Sequence, residues 1–243
     1  MKYNPNDKVI AKELKEYDEA DFISIPSEFV KSSFIQYGID EKKLFKNPYG
    51  ADITIFKPNK KYFEASVKNF KVIYLGSLTI RKGLYYMFEA LKEIELPDFE
   101  IWYIGYISDE VKSILKDYTN VNWKFKGHLK HHELPDVLSK CSVGIQPSLE
   151  EGLSMVIPQM LACGIPVISS TNTGSEDVIK DGENGFIVPI RSPEAIREKV
   201  LLLYENRDLL QTMKRNAIDM SEHNTWDEYG ERYIRFLYNL ISK

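Results

Sequence analysis

Blocks of apolar residues alternate with amphipathic segments along most of the chain. Short runs rich in β-branched and aromatic residues predict strands in KVIYLGS, FEIWYIG, VNWKFKG, SVGIQPS, IPVISS and NGFIVP. The intervening segments predict helices over residues 83–94, 108–116, 133–140, 155–163 and 175–180. Strands that alternate with helices of this length predict an α/β fold with a doubly wound, Rossmann-like parallel sheet.

The two ends of the chain follow other patterns. A helix is predicted over residues 6–17, a short strand in ADFISIP, and a helix from the cap residue Ser27 to about Tyr37. Helices over 193–204, 207–221 and 225–242 close the chain. We therefore predict a lead-in segment (1–56), a loop (57–70), a Rossmann-like domain (71–221) and a C-terminal helix (222–243).

Composition narrows the possible functions. With 243 residues, 43% of them hydrophobic, the chain can bury one such domain with a helical appendage. A net charge of −4 argues against nucleic acid as a partner, because nucleic-acid binding needs a concentrated basic face. Cys141 and Cys163 are expected to be buried, reduced thiols. No apolar run reaches the ~20 residues of a transmembrane helix, and the polar start is unlike a signal peptide. We expect a cytoplasmic protein with no transmembrane segment.

The first loop with candidate chemistry is GSLTIRKG, residues 76–83. In doubly wound sheets ligands bind beyond the carboxyl ends of the strands, and this loop follows such an end. Gly76 permits a sharp turn, while Arg81 and Lys82 precede a helix, which together suit a diphosphate. The motif taken alone favours the alternative, in which both cations are simply solvated.

The second loop is PSLEEGLSM, residues 147–155. Carboxylates at Glu150 and Glu151 can accept hydrogen bonds from sugar hydroxyls, and the amides after Gly152 can donate to a sugar or phosphate oxygen. In the alternative interpretation the glutamates are turn residues and Ser154 is a helix N-cap.

The third loop comprises NTGSED, residues 172–177, and DGENGF, residues 181–186. The first part is a glycine-containing turn into a helix, whereas structural turns are the expected role of the second. We expect the turns at Lys82, Glu151 and Glu176 to converge on one ligand.

These loops, in this order, resemble the C-terminal domain of the retaining GT-B glycosyltransferases of the family 4 type, also described as glycosyl transferases group 1. The resemblance rests on GSLTIRKG, PSLEEG, LACGIPVI and EDVIKDGENGFIV. ADFISIPSEFVKSSF and NPYGADITIF are similar to the family's lead-in, and TWDEYGERYIRFLYNLI to its closing helix. The resemblance covers nearly the whole chain.

The resemblance implies a hexosyltransferase whose donor is a nucleotide-diphosphate sugar. Lys82, with Arg81 or Ser77, would bind the diphosphate, Gln159 the ribose, and the loop after Gly127 would border the base. The implied catalytic residues are Glu151, Lys82 and Arg81. The implied donor-binding residues are Gly76, Ser77, Lys82, His128, Glu151, Gly152, Leu153, Ser154, Met155 and Gln159. Neither metal nor cofactor is expected, because cations and a helix dipole would neutralise the departing diphosphate, and the four histidines suggest no ligand set.

Two positions depart from the family pattern. Ser77 stands where the pattern has an arginine, and Arg81 can supply a replacement charge. Gln159 stands where the pattern has a second glutamate. An amide still binds a ribose hydroxyl, but it loses the charge-assisted part of the bond, about 1 kcal/mol.

The resemblance also implies an N-terminal acceptor domain that these residues do not supply. We therefore expect the chain to need a partner acceptor domain for activity, whether it is a fragment, a split-gene product or a truncated frame. The final helix, with Trp226, Tyr229, Tyr233 and Phe236, either packs across a domain junction or covers only its own core. Self-association through exposed apolar surface is a further expectation.

Other functions remain open at this point. Ser77, Gln159 and the missing domain favour a non-catalytic nucleotide-sugar-binding subunit. A nicotinamide-dependent enzyme is disfavoured, because no GxGxxG motif opens a βαβ unit. A response-regulator-like domain is disfavoured because the early acidic cluster of that class is missing.

Overall fold

A computed structural model describes residues 7–63, 69–118 and 123–242. Its strands are β1 Ile23–Ile25, β2 Leu44–Lys46, β3 Phe70–Leu75, β4 Phe99–Ile104, β5 Trp123–Phe125, β6 Val143–Gln146, β7 Val167–Ser170 and β8 Gly185–Val188. Its helices are α1 Asp7–Glu19, α2 Glu28–Gln36, α3 Lys60–Phe63, α4 Leu84–Leu91, α5 Asp109–Leu115, α6 Leu134–Leu138, α7 Val156–Ala162, α8 Pro193–Glu205, α9 Arg207–Ser221 and α10 Trp226–Ile241.

The main sheet has six parallel strands in the order β5-β4-β3-β6-β7-β8. The direction of winding reverses between β3 and β6. At such a switch point two loops leave the carboxyl ends of adjacent strands in opposite directions and leave a crevice between them. The predicted doubly wound α/β fold is confirmed.

Both faces of this sheet are buried, which explains the nearly continuous apolar strands. Alternation along β3 places Phe70, Val72 and Tyr74 on one face, in a core with α4, α8 and α9. Ile73 and Leu75 lie on the other face, in a core with α6 and α7. This double cover fixes the strand ends, and hence the loops beyond β3 and β6, on a rigid base.

The lead-in segment forms a second, two-stranded parallel sheet, in which Ile23 pairs with Leu44. Ser27 caps α2 as predicted, since its Oγ accepts from the amide of Val30 at 3.2 Å. Strand β2 was not predicted, because its three residues LFK are too short to show a periodic pattern. Phe45 of β2 stacks on Phe236 of α10 with ring centroids 4.0 Å apart.

Three predicted boundaries need correction. The helix predicted over 175–180 is a single 3₁₀ turn, Ser175–Asp177, because the Asn184 side chain bonds the backbone of Val178 and Lys180 in place of a further turn. The helix predicted over 133–140 is α6, preceded by a 3₁₀ turn. The predicted loop 57–70 contains α3 and ends inside β3, while residues 64–68 lie outside the described residues.

The described helices include none with the length and apolar character needed to span a membrane.

Both cysteines are buried and free, as expected, and burial raises the pKa of each thiol to about 12. The four aromatic residues of α10 all contact the lead-in segment: Phe236 and Tyr233 pack on Phe45, and Tyr229 and Trp226 on Tyr49. Trp226 and Tyr233 are also partly exposed, and packing of α10 across a domain junction stays a prediction.

Candidate functional site

The loops that follow β3 and β6 meet at the switch point of the sheet. The amide of Leu149 donates to the carbonyl oxygen of Arg81 at 2.9 Å, which joins the two loops directly. Gly83 lies at the junction with φ 73°, and a Cβ atom there would lie 1.7 Å from the carbonyl oxygen of Pro147. Only glycine suits this position, because the backbone is left-handed and the neighbouring loop is too close for a side chain.

The three predicted catalytic residues come together across this junction. The Lys82 ammonium and the Glu151 carboxylate form an ion pair, with only 20% and 18% of their side chains exposed. Arg81 is exposed, and its Nη1 donates to the carbonyl oxygen of Glu150 at 3.1 Å. The crevice thus holds two cations and a carboxylate, a set that can bind an anion and a hydroxyl-bearing group side by side.

A cavity of about 330 Å³ opens at the carboxyl ends of β3 and β4, and Lys82 and Glu151 are not among the residues that line it. It brings together four predicted site residues: Gly76, Ser77, His128 and Gln159. Most of its remaining wall is apolar, contributed by Leu75, Ile104, Gly105, Leu129, Leu134 and Val156. Tyr106 completes the rim and was missed from sequence; it is 62% exposed, and nothing in its local pattern distinguishes it from a surface residue.

Two buried tyrosines, also missed, hold the first loop in shape. The Tyr103 hydroxyl bonds the carbonyl oxygens of Gly76 at 3.0 Å and Tyr106 at 2.7 Å. The Tyr74 hydroxyl donates to the carbonyl oxygen of Ser77 at 3.1 Å. Burial raises the pKa of both phenols, that of Tyr103 to about 12, so both stay protonated donors at neutral pH. Their sequence context indicates only core strand residues.

The second loop offers backbone groups more than side chains. Leu153 is packed in the core and Ser154 is buried, whereas Met155 is exposed. The N-cap of α7 is Met155 and has no side-chain cap bond, so the interpretation of Ser154 as N-cap is wrong. Among the described residues, no partner accepts from the amides of Leu153, Ser154 or Met155. Within the described part of the chain, these three amides are unpaired donors of the second loop.

The third loop supports the site but does not contribute Glu176. That side chain is exposed and lines a separate cavity of about 240 Å³ with Lys180, Met220 and Asn224. The expected convergence of Glu176 with Lys82 and Glu151 is therefore wrong, because the short 3₁₀ turn directs it towards the end of α9. The backbone of this loop does contact the site, since the amide of Glu151 donates to the carbonyl oxygen of Asn172 at 2.9 Å.

The described part of the chain contains no group of three or more His, Cys, Asp or Glu residues arranged to hold a metal ion. His128 lines the large cavity, while the His131 ring packs edge-on against Phe56 with centroids 4.8 Å apart. That the protein works without a metal or cofactor stays a prediction.

Comparison with known proteins gives a consistent result. The family model described as "Glycosyl transferases group 1" matches residues 56–220. The uncharacterized glycosyltransferase MJ1069 of Methanocaldococcus jannaschii is 25% identical over 248 residues, covering 97% of this chain and 62% of its own.

Solved structures agree in fold. Sucrose-phosphate synthase from Thermosynechococcus elongatus superposes with a TM-score of 0.85 at 18% identity, over 98% of this chain and 62% of its own. Anabaena HepE in complex with UDP gives a TM-score of 0.81 at 19% identity, over 90% of this chain and 64% of its own. HepE has also been solved with UDP-glucose. The chain spans less than two thirds of the length of each of these three proteins. Its sheet matches the C-terminal Rossmann-like domain of GT-B glycosyltransferases.

Proposed function

The chain belongs to the glycosyl transferases group 1 family, and from this premise we propose that it binds a nucleotide-diphosphate sugar and, with an acceptor domain, transfers the hexose with retention of anomeric configuration. The observation that carries the proposal is the Lys82–Glu151 ion pair at the switch point, together with a cavity at the same edge of the sheet lined by Ser77, His128 and Gln159. The nucleoside, the diphosphate and the sugar of the donor can each be assigned to residues of this region.

The nucleoside occupies the cavity. Its apolar wall suits the faces of a base, and the rim residues His128 and Tyr106 flank the opening. Gln159 lies in the same wall, and its amide can bond a ribose hydroxyl as donor or acceptor. The structures of HepE with UDP and UDP-glucose support this assignment by likeness of fold.

The diphosphate lies between the cavity and the ion pair. Lys82 supplies a point charge, and the Arg81 guanidinium, with one nitrogen on the Glu150 carbonyl, has further N–H groups for phosphate oxygens. Ser77 sits on the wall where the family pattern has an arginine, so Arg81 provides the second positive charge. The free amides of Ser154 and Met155 add neutral donors.

The sugar lies against Glu151. In the chain without donor this carboxylate neutralises Lys82; with donor bound, the diphosphate takes over Lys82 and frees carboxylate lone pairs for sugar hydroxyls. In the transfer step the bond from the anomeric carbon to the diphosphate oxygen breaks, and a bond from that carbon to the acceptor hydroxyl oxygen forms. The hydroxyl proton leaves with the diphosphate, whose growing negative charge Lys82 and Arg81 stabilise.

The direct test is calorimetric titration with UDP-, GDP- and ADP-sugars and with the free hexoses. We expect one nucleotide sugar to bind and the free sugars not to bind. Absence of binding heat and of a thermal shift with every nucleotide sugar would overturn the proposal.

A second candidate function is a non-catalytic subunit that binds the nucleotide sugar without turning it over. The neutral side chains Ser77 and Gln159 in the cavity wall favour it, because both lower the positive or hydrogen-bonding strength of the site. Adding a separately produced acceptor domain distinguishes the two candidates. Sugar transfer in the mixture supports the enzyme, whereas donor binding without transfer or hydrolysis supports the subunit.

A further inference from the structure

The lead-in segment touches the candidate sugar-binding loop, although it lies outside the region that the family model matches, residues 56–220. Gly152 is walled by this segment, since a Cβ atom on it would lie 3.4 Å from Val30 and 3.6 Å from Pro26. The start of α2 is thus part of the structure that surrounds the second loop.

Ser27 makes the central contact. It is fully buried, and its Oγ accepts from the amide of Val30 at 3.2 Å and donates to the carbonyl oxygen of Gly152 at 2.5 Å. The space around it is tight, because a Cβ atom on Gly174 would lie 2.5 Å from the Ser27 side chain and 2.2 Å from the Gly152 carbonyl oxygen. Gly174 has φ 63° and leaves room for both groups.

A charged cluster next to Ser27 fixes the start of α2 in place. Asp177 accepts from the amide of Glu28 at 2.7 Å and from Lys46 at 2.6 Å, and Lys46 also pairs with Glu28 at 2.7 Å. Although burial opposes it, bonding to Asp177 and Glu28 raises the pKa of Lys46. The bond from Lys46 lowers the pKa of Glu28. Lys46 and Glu28 therefore stay charged at neutral pH, and the cluster ties α2 and β2 to the third loop.

The geometry of the peptide bond gives this contact a consequence in the crevice. The described chain contains no cis peptide bond, and in a trans peptide the C=O and the following N–H point in opposite directions. By holding the Gly152 carbonyl towards α2, Ser27 turns the amide of Leu153 away from α2. That amide is one of the free donors next to Glu151.

We propose that Ser27 is a positioning residue for the donor sugar: it orients the Gly152–Leu153 peptide so that the Leu153 amide and the adjacent Glu151 carboxylate face the sugar. This inference rests on the proposed function. It assigns to the lead-in segment a part in sugar recognition, which a helix cap that only stabilises α2 would not have. Loss of Ser27 should then affect the sugar part of the donor and leave the nucleotide part unchanged.

The experiment compares Ser27→Ala with wild type, using UDP-glucose and UDP as calorimetric probes. Because one oriented hydrogen bond contributes about 1 kcal/mol, we expect Ser27→Ala to weaken UDP-glucose about fivefold and UDP less than twofold. Ser32→Ala is the matched control, since Ser32 is exposed on the same helix and should change neither affinity. Faster hydrogen exchange at the Leu153 amide in Ser27→Ala would report the loosened peptide directly.

The possible outcomes separate the two proposals. If wild type binds UDP-glucose and Ser27→Ala keeps the wild-type ratio of the two affinities, the positioning role is overturned while donor binding stands. If wild type binds no nucleotide sugar of the panel above, donor binding fails and this role fails with it. Should Ser27→Ala not fold, Asp177→Asn, which weakens the anchor of α2, carries the same expected selective loss for UDP-glucose and is judged by the same ratio.

Discussion

The Lys82 ammonium is held by the Glu151 carboxylate although 69 residues separate them in sequence. The two side chains reach one another because β3 and β6 are neighbours at the point where the sheet reverses its winding. A cation from one loop and an acid from the other therefore share one small volume, with less than a quarter of either side chain exposed. Under the proposed function, we expect Lys82 to act on the diphosphate and Glu151 on the sugar.

Replacing Lys82 by Met should remove most of the affinity for the diphosphate. A charge-assisted hydrogen bond contributes about 1.5–3 kcal/mol, so we expect UDP to bind about 10- to 100-fold more weakly by calorimetry. Lys180→Met is the matched control, because Lys180 is exposed and pairs with Glu183 away from the crevice. Unchanged UDP binding in Lys82→Met would remove Lys82 from the diphosphate site.

Replacing Glu151 by Gln should lower the affinity for the sugar part of the donor but not the affinity for the nucleotide part. The amide keeps the shape of the carboxylate but accepts hydrogen bonds from hydroxyls less strongly, and it frees Lys82 for the diphosphate. We expect UDP to bind as tightly as to wild type or tighter, while the extra affinity of UDP-glucose over UDP falls about fivefold. An equal loss for both probes would contradict contact between Glu151 and the sugar.

Gln159 offers a test in both directions. Gln159 lines the cavity at the position where the family pattern has a glutamate. Gln159→Glu should therefore strengthen the bond to the ribose and raise the affinity for UDP about fivefold. Gln159→Ala should lower the affinity for UDP by a similar factor. Calorimetry on both variants checks this. A Gln159→Ala variant with wild-type affinity would show that this side chain does not contact the nucleotide.

Gly83→Ala should separate the two loops. Its Cβ atom would overlap the Pro147 carbonyl in a backbone of φ 73°, so we expect a loss of about 3 kcal/mol in the free energy of unfolding and weaker UDP binding. Gly38→Ala is a close control: its φ is 89°, but nothing lies within 4 Å of the new atom. Gly38→Ala should lower the free energy of unfolding by only about 1 kcal/mol and leave UDP binding unchanged. Equal effects of the two variants would argue against a tight loop junction.

Glu100 should contribute to the acid sensitivity of the fold. Burial opposes its charge, but hydrogen bonds from Lys124, Trp102 and Asn69 lower its pKa to about 2 from an ordinary 4.5. Because the pKa is depressed in the folded state, its stabilisation is present above pH 4.5 and is lost as pH falls from 4.5 towards 2.

Urea unfolding of wild type and Glu100→Gln at several pH values between 3 and 7 tests this. We expect wild type to lose about 2 kcal/mol more than the variant as the pH falls, since other carboxylates titrate in both proteins. Parallel pH profiles would show that Glu100 is not held in this way.

Local patterns in the sequence predicted most of the sheet and helices, because both are encoded by periodicity and capping within short segments. Ser27 as a cap and the 207–221 helix are examples confirmed by the structure. The neighbourhood of Arg81, Lys82 and Glu151 also followed from the sequence, since strand-end loops of a doubly wound sheet meet at its switch point.

Long-range contacts without a local pattern could not be predicted. The bond from Ser27 to Gly152 joins residues 125 positions apart, and a serine that caps a helix shows no sign of a second acceptor. Tyr103 has the sequence context of a core strand residue, yet its hydroxyl supports the first loop. The prediction that Glu176 joins the site was wrong, because the direction of its side chain depends on a 3₁₀ turn. The side chain of Asn184, further along the chain, helps to end the turn, and no local pattern predicts this contact.

The packing of the lead-in segment on α10 has a consequence for how the protein folds. Arg232 donates to the Asn47 side chain at 2.8 Å across 185 residues of sequence. Closing so long a segment costs chain entropy before the contact can stabilise anything, so such contacts form late. During synthesis, Phe45 emerges from the ribosome long before its stacking partner Phe236 exists. The Rossmann-like sheet can therefore assemble first, with α2 and β2 already held to its loops through Ser27 and Lys46, and the contacts of β2 with α10 are completed only after the last helix is synthesised.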